Sequence, residues 1–353
     1  MKSIRFALLA SVFFAGISPT FSEVSFTPTG VIDMVPTSMS DDASIVVGTG
    51  FFGAPNLYYT EAAGASVIGD GCGSGVPGIS GDGTTVVGCN VNSDGKYNAA
   101  KWLGGTSWLD LGTVAGGVSC DFFLSGSYGI DRDGSLAVGL VYLPQTCKAG
   151  AGTWDLVNGG PATALPALFG DTTYSRANAV NADGSVIVGW QDQLTGERTG
   201  TKWVNGVEEL ILTSSGGFNG EALGVSADGQ TIVGEGYNFG RGAWIWKAGT
   251  GVRSIGARGG DGRYLALDVS DDGNVVVGLI RRLRFGFPAQ RGFIWTEGEG
   301  ATTLDAYLAK RGVVVPQGWI LSVASLISAD GNTIYGWGFN PDGLIEMFKV
   351  TLN

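Results

Sequence analysis

Short runs of apolar, β-branched residues recur along the chain, each led in by the same polar turn. ISGDGTTVVGC begins at Ile79, VNADGSVIVGW at Val180, VSADGQTIVGEG at Val225, VSDDGNVVVGL at Val269 and ISADGNTIYGW at Ile327. Aligned on the first turn residue, Ser40, Ser80, Asp131, Asn181, Ser226, Ser270 and Ser328 follow at spacings of 40, 51, 50, 45, 44 and 58 residues. Seven copies averaging 48 residues predict an all-β, seven-bladed propeller-like ring, because the period is that of a four-stranded blade and too long for one coil of a solenoid.

The Ser226 copy shows the pattern within a blade. Alternation and β-branching predict strands at 222–225, 230–234, 242–247 and 251–255, a four-stranded antiparallel meander. The third strand recurs with a tryptophan at Trp102, Trp154, Trp203, Trp246 and Trp295, which is predicted to pack between neighbouring blades. A hairpin loop built on a type I turn wants a short polar acceptor first and a glycine fourth, where the chain turns left-handed. Ser80, Asp131, Asn181, Ser226, Ser270 and Ser328 stand first; Gly83, Gly134, Gly184, Gly229, Gly273 and Gly331 stand fourth. Interchange among Ser, Asp and Asn suits a cap and not a nucleophile, so the motif reads as a structural turn. The first copy has Ala43 where the others have glycine.

The chain ends suggest how the ring closes. EMFKVTL, from Glu346, reads as the third strand of a last blade with no fourth after it, and residues 31–34 are predicted to supply that strand and remove an exposed edge.

Composition narrows the partners. The 353 residues include 61 glycines, only 15% are charged, and the net charge is −11. Phosphate neutralisation needs a basic face, so nucleic acid is excluded as a partner. Lys2 and Arg5 followed by IRFALLASVFFAGI form a signal peptide with cleavage expected near Ser22, leaving one propeller domain over 23–353 with no transmembrane segment. The expected location is the periplasm or the extracellular space, and the expected state a monomer. Four cysteines suit that oxidising setting. Cys72 and Cys89 bracket one repeat copy, Cys120 and Cys147 the next, which predicts the bridges Cys72–Cys89 and Cys120–Cys147. The competing reading, a metal site, lacks CxxC spacing and any histidine.

The same absence of histidine removes Ser-His-Asp and Cys-His nucleophilic schemes and the usual zinc sites. Carboxylate chemistry stays open, but Asp131 with Asp133 and Asp271 with Asp272 lie on repeat turns, where capping explains them. The Asp131–Gly134 stretch lacks the further acidic ligands of a calcium loop, and the Gly-x-Gly runs do not precede helices. No catalytic residue, cofactor or metal is assigned.

Two segments escape the repeat. LIRRLRFGFPAQR, from Leu279, places Arg281, Arg282, Arg284 and Arg291 with Phe285 and Phe287 in a long loop of the sixth copy, a candidate site for an acidic glycan, a lipid headgroup or a surface protein. The bland alternative is a solvated hairpin whose arginines pair with nearby carboxylates. TGFFGAPNLYYTE, from Thr49, offers Phe51, Phe52, Tyr58 and Tyr59 for carbohydrate stacking or for packing the first blade.

The repeated S-x-D-G-x-x-V-V-G followed by A-F/W-x-W resembles the HAF repeat of bacterial exported proteins across nearly all of 24–353. The histidine that names the motif is replaced, with Arg291-Gly292-Phe293 and Gly242-Ala243-Trp244 at those places. The resemblance implies a secreted or surface location, as in autotransporter passengers, and no defined chemistry. The reading that follows is an exported binding protein acting through one face of the ring, with a carboxylate-dependent carbohydrate-active enzyme or a structural surface module as alternatives.

Overall fold

The computed structural model describes residues 24–116, 120, 123–217, 219–236, 242–256, 262–282 and 290–352. The expected cleavage site at Ser22 and the residues Arg284, Phe285 and Phe287 lie outside them. The described strands form seven four-stranded antiparallel sheets, the blades of a propeller, numbered here from the Ser40 turn (blade 1) to the Ser328 turn (blade 7). No helix among the described residues is long and apolar enough to cross a membrane.

The turns do what their residue types predict. In blade 2 the Ser80 hydroxyl donates to the Asp82 carboxylate at 2.6 Å and accepts the Thr85 amide at 3.0 Å, while Gly83 sits at φ +74°. Asp131 accepts the Leu136 amide at 2.9 Å and Asn181 the Val186 amide at 2.8 Å. Three residue types therefore perform one task, satisfying the amide that opens the second strand. The glycine ending each V-V-G has a different reason. A Cβ on Gly189 would collide with the carbonyl oxygen of Arg176 on the adjacent innermost strand.

Blades are joined through the third strand. Trp203 is completely buried among Val138, Ala151 and Ile187, and its indole donates to the Pro166 carbonyl of blade 3 at 2.8 Å. Trp154 likewise donates to Gly112 of blade 2. Trp102 packs on Tyr58 of blade 1 and Trp295 joins Val233 and Ile245 of blade 5, so each of these rings rests on the preceding blade. Tyr59 in blade 1 and Val350 in blade 7 take the same register, against blades 7 and 6. Full burial of such a side chain contributes about 1.5–3 kcal/mol.

The ring closes by pairing the chain ends, with one correction to the expected segment. The outer strand of blade 7 is Ser25–Ile32, paired antiparallel with Ile345–Thr351, whereas Met34 already belongs to the first strand of blade 1. Asp33, at φ 62°, ends the closing strand there. A second difference is the helix Leu304–Lys310 between blades 6 and 7. Thr303 caps it, and Leu304, Tyr307 and Leu308 bury its inner face beside Leu321 and Phe348. This segment occupies the longest repeat interval.

The cysteines pair as expected. Cys72–Cys89 ties the connection entering blade 2 to that blade's second strand, and Cys120–Cys147 ties the connection entering blade 3 to its own hairpin. Cα separations are 5.4 and 5.7 Å. Both bridges are consistent with an oxidising compartment.

Candidate binding site at the mouth of the ring

The innermost strand of each blade runs along the central channel toward its turn. In six blades that strand carries a β-bulge three positions before the first turn residue. The extra residues are Thr37, Tyr128, Asn178, Leu223, Leu267 and Ser325, and all six line the channel. A bulge re-aims a side chain, and here it gives almost every blade one residue of the cavity wall. The cavity measures about 600 Å³ and is bordered by all seven blades.

One end is closed. The second turn residues link the blades through their backbones, Asp41 to Gly81 at 2.9 Å, Gly81 to Arg132 at 2.9 Å and Asp271 to Ala329 at 3.1 Å. The Arg132 side chain reaches from blade 3 to Asp41 of blade 1, at 2.8 Å, and to Asp271 of blade 6. Burial raises the Asp41 carboxyl; Arg132 opposes the shift and Asp271 adds to it. Asp268, also on the channel wall, accepts the Val269 and Ile327 amides but is pushed up to about 6 by burial.

The other end is an open mouth of two unlike sectors. In blades 3 to 6 it is charged. Arg176 lies 4.4 Å above the Tyr128 ring and pairs with Glu221 at 3.3 Å. Arg198 stacks 3.4 Å over Trp190 and pairs with Asp192 at 3.0 Å and with Glu221. Glu235 faces Glu221 directly across the strand pair, and burial followed by the Glu221 charge raises its pKa. On blade 6 Arg263 and Arg281 likewise stand opposite one another. Directly opposed like charges are unfavourable unless counter-charges intervene. Glu235 feels both of these arginines.

In blades 6, 7 and 1 the mouth is apolar. Leu265, Leu279, Val323 and Trp337 form one buried cluster, with Phe51 and Leu267 packed against it. Phe51 meets Trp337 edge to face at 5.3 Å, and the neighbouring Phe52 is 92% exposed. The two segments that escape the repeat pattern therefore meet at this mouth.

Of the candidate residues, Arg281 is exposed on the cavity rim and has no ion pair among the described residues. Arg282 ends the strand Val275–Arg282, its side chain outside the described set. Arg291 begins the next strand and donates to the Gln290 carbonyl at 2.8 Å. In the other segment, Tyr59 is core and Tyr58 an inter-blade contact, so packing accounts for both. Composition and motif reading missed Arg176, Arg198, Glu221 and Glu235. Their signal was positional, at the start of an innermost strand or the facing end of its neighbour.

No family model matches the chain, and no curated protein matches it in sequence. Solved structures do. An oligogalacturonate lyase in complex with manganese is 14% identical over 93% of each chain, with a TM-score of 0.56. The β-propeller domain of the trilobed protease from Pyrococcus furiosus is 12% identical over 93% of this chain and 95% of that one, with a TM-score of 0.55. An oligogalacturonate lyase from Vibrio parahaemolyticus gives 12% over 95% of each, with a TM-score of 0.53. These likenesses establish the propeller fold. The Pyrococcus domain is described as having an open velcro topology; the present chain, in contrast, is closed by Ser25–Ile32.

Proposed function

We propose that the protein is an exported binding protein, cleaved near Ser22, that takes its ligand at the open mouth. The observation that carries this is the convergence of the Thr49 and Leu279 segments, where Phe51 packs on the cluster of Leu279 and Trp337, exposed Phe52 lies beside Phe51, and exposed Arg281 stands on the rim of the cavity. A rim that joins an aromatic anchor to a guanidinium without an ion pair among the described residues is suited to contact with a partner. Screening the purified protein on a glycan array and in a small-molecule thermal-shift panel tests this, with an Arg281→Ala/Arg282→Ala/Arg284→Ala variant alongside. The expected result is a ligand that the folded variant no longer holds. A ligand held equally by both proteins would contradict it.

One observation favours a second reading, a carboxylate-dependent carbohydrate-active enzyme. Glu221, held by two guanidiniums, stands directly opposite Glu235, whose pKa burial raises, and two facing carboxylates in unlike surroundings are a pattern that can serve as acid and base. Release of reducing ends from an acidic polysaccharide, lost in Glu235→Gln, would establish it.

A further inference from the structure

Resting on the binding reading above, we infer that the mouth recognises an amphipathic anion, with its charged group at Arg281 and its apolar body against Leu279, Leu267 and Trp337. Leu279 and Arg281 are two positions apart on one strand and so share its face. Leu279 belongs to the apolar cluster, and Arg281 stands at the rim. An anion entering beside Leu279 thus meets charge and hydrocarbon in one step.

The charge balance favours an anion. Arg176 and Arg198 are held by Glu221 and Asp192, whereas Arg281 makes no ion pair among the described residues. Glu221 is committed to Arg176 and Arg198. Arg281 stands directly opposite Arg263 across the strand pair, so an anion bound at Arg281 would offset the repulsion between opposed like charges.

The shape favours a small molecule with an apolar body. The ring of turn hydrogen bonds and the Arg132 pairs span the far end, which favours entry of a ligand by the mouth. A cavity of about 600 Å³ is of the size that encloses small organic ligands. Beside Phe51, which packs on the apolar cluster of Leu279 and Trp337, the Phe52 ring is 92% exposed.

Titration calorimetry with hexane-, octane- and decanesulfonate, all below micellar concentration, tests the inference. Sulfonates remain anionic throughout, so protonation of the probe does not intervene. One site is expected, with affinity rising by up to about fourfold per added methylene. Arg281→Ala should weaken every member about tenfold while keeping the chain-length increment, and Arg281→Lys should retain most of the affinity. Decyltrimethylammonium should bind at least about tenfold more weakly than decanesulfonate. Equal binding of the two decyl probes, or affinity indifferent to chain length, overturns the inference. If no alkyl sulfonate binds but a glycan or peptide is held and Arg281→Ala releases it, this ligand class is wrong and the binding function stands. If Arg281→Ala alters the binding of nothing, both fail.

Discussion

Arg132 and Asp271 lie 139 positions apart and form an ion pair across the axis of the ring. Asp41 joins the same guanidinium from a third blade. The three side chains are each more than a third exposed, so solvent screens them and the pairs contribute modestly, about 1 kcal/mol or less. Removing the arginine has a further effect. In Arg132→Ala, Asp41 and Asp271 are left facing each other as like charges, a repulsion that is lost at low pH when the Asp41 carboxyl, raised by burial, takes up a proton. Urea unfolding should show the variant close to wild type at pH 3.5 and less stable at pH 7; equal deficits at both values would contradict this.

The turn motif makes a prediction about interchange. Ser226→Ala removes the oxygen that accepts the buried Thr231 amide at 2.9 Å and should cost about 1–2 kcal/mol. Ser226→Asn should recover much of that loss, because Asn181 performs the same task in blade 4. Chemical denaturation of the two variants decides it, and an asparagine variant no better than alanine would show that the fit is particular to each blade.

Ring closure predicts a strong effect at the N-terminus. Deleting residues up to Asp33 unpairs Ile345–Thr351 and exposes its edge. A loss of about 3 kcal/mol or more is expected from the uncovered apolar surface, together with concentration-dependent association through the free edge. Unfolding and light scattering of the shortened protein report both, and an unchanged monomer would refute the pairing.

The buried carboxylates predict a stability maximum on the acidic side. Burial raises Glu208 to about 7, and one of its oxygens is buried without a hydrogen-bond partner; Asp268 is raised to about 6. Each folded value exceeds the unfolded one, so the native state binds more protons between the two values and stability falls as pH rises through that window. For Glu208 the fall runs from about pH 4.5 to about 7, for Asp268 from about 4 to about 6. The turn aspartates act oppositely. The Ser80 hydroxyl lowers Asp82, so that contribution is lost as pH falls through its folded value. Glu208→Gln should keep the Leu168 amide bond, stabilise the protein at pH 8 by about 1–3 kcal/mol and flatten the slope between pH 5 and 8. Melting temperatures across that range measure it, and an unchanged slope would contradict it.

What was legible in the sequence was local. The left-handed fourth position at Gly83 or Gly229, the capping first position and the tryptophan of the third strand are each specified within a dozen residues, and they recur often enough to reveal the period. The closing strand was placed a few residues late because the turn at Asp33 carries no glycine to mark it. The helix Leu304–Lys310 had a signal, with apolar residues at Leu304, Tyr307 and Leu308 behind a threonine cap, but the strand period masked it. The mouth was the least legible part. Phe51 and Leu279 are far apart in the chain and meet only because the ring closes, and Arg176 and Glu221 look ordinary until neighbouring innermost strands place them together. The residues lining the cavity do share a sequence address, three positions before each turn, which acquires meaning only once a bulge is known to turn that position toward the axis.

The central claim is that ligand is taken at the open mouth and not on the turn face, and paired fluorescent labels test it most directly. A label at Phe52→Cys reports the mouth, while one at Val157→Cys, 73% exposed in the hairpin beside the Asp131 turn, reports the turn face. Titrating decanesulfonate should change the Phe52 label saturably, with the midpoint moved to about tenfold higher concentration by Arg281→Ala, and leave the Val157 label unchanged. A saturable response at Val157 with none at Phe52 would place the site on the wrong end of the ring.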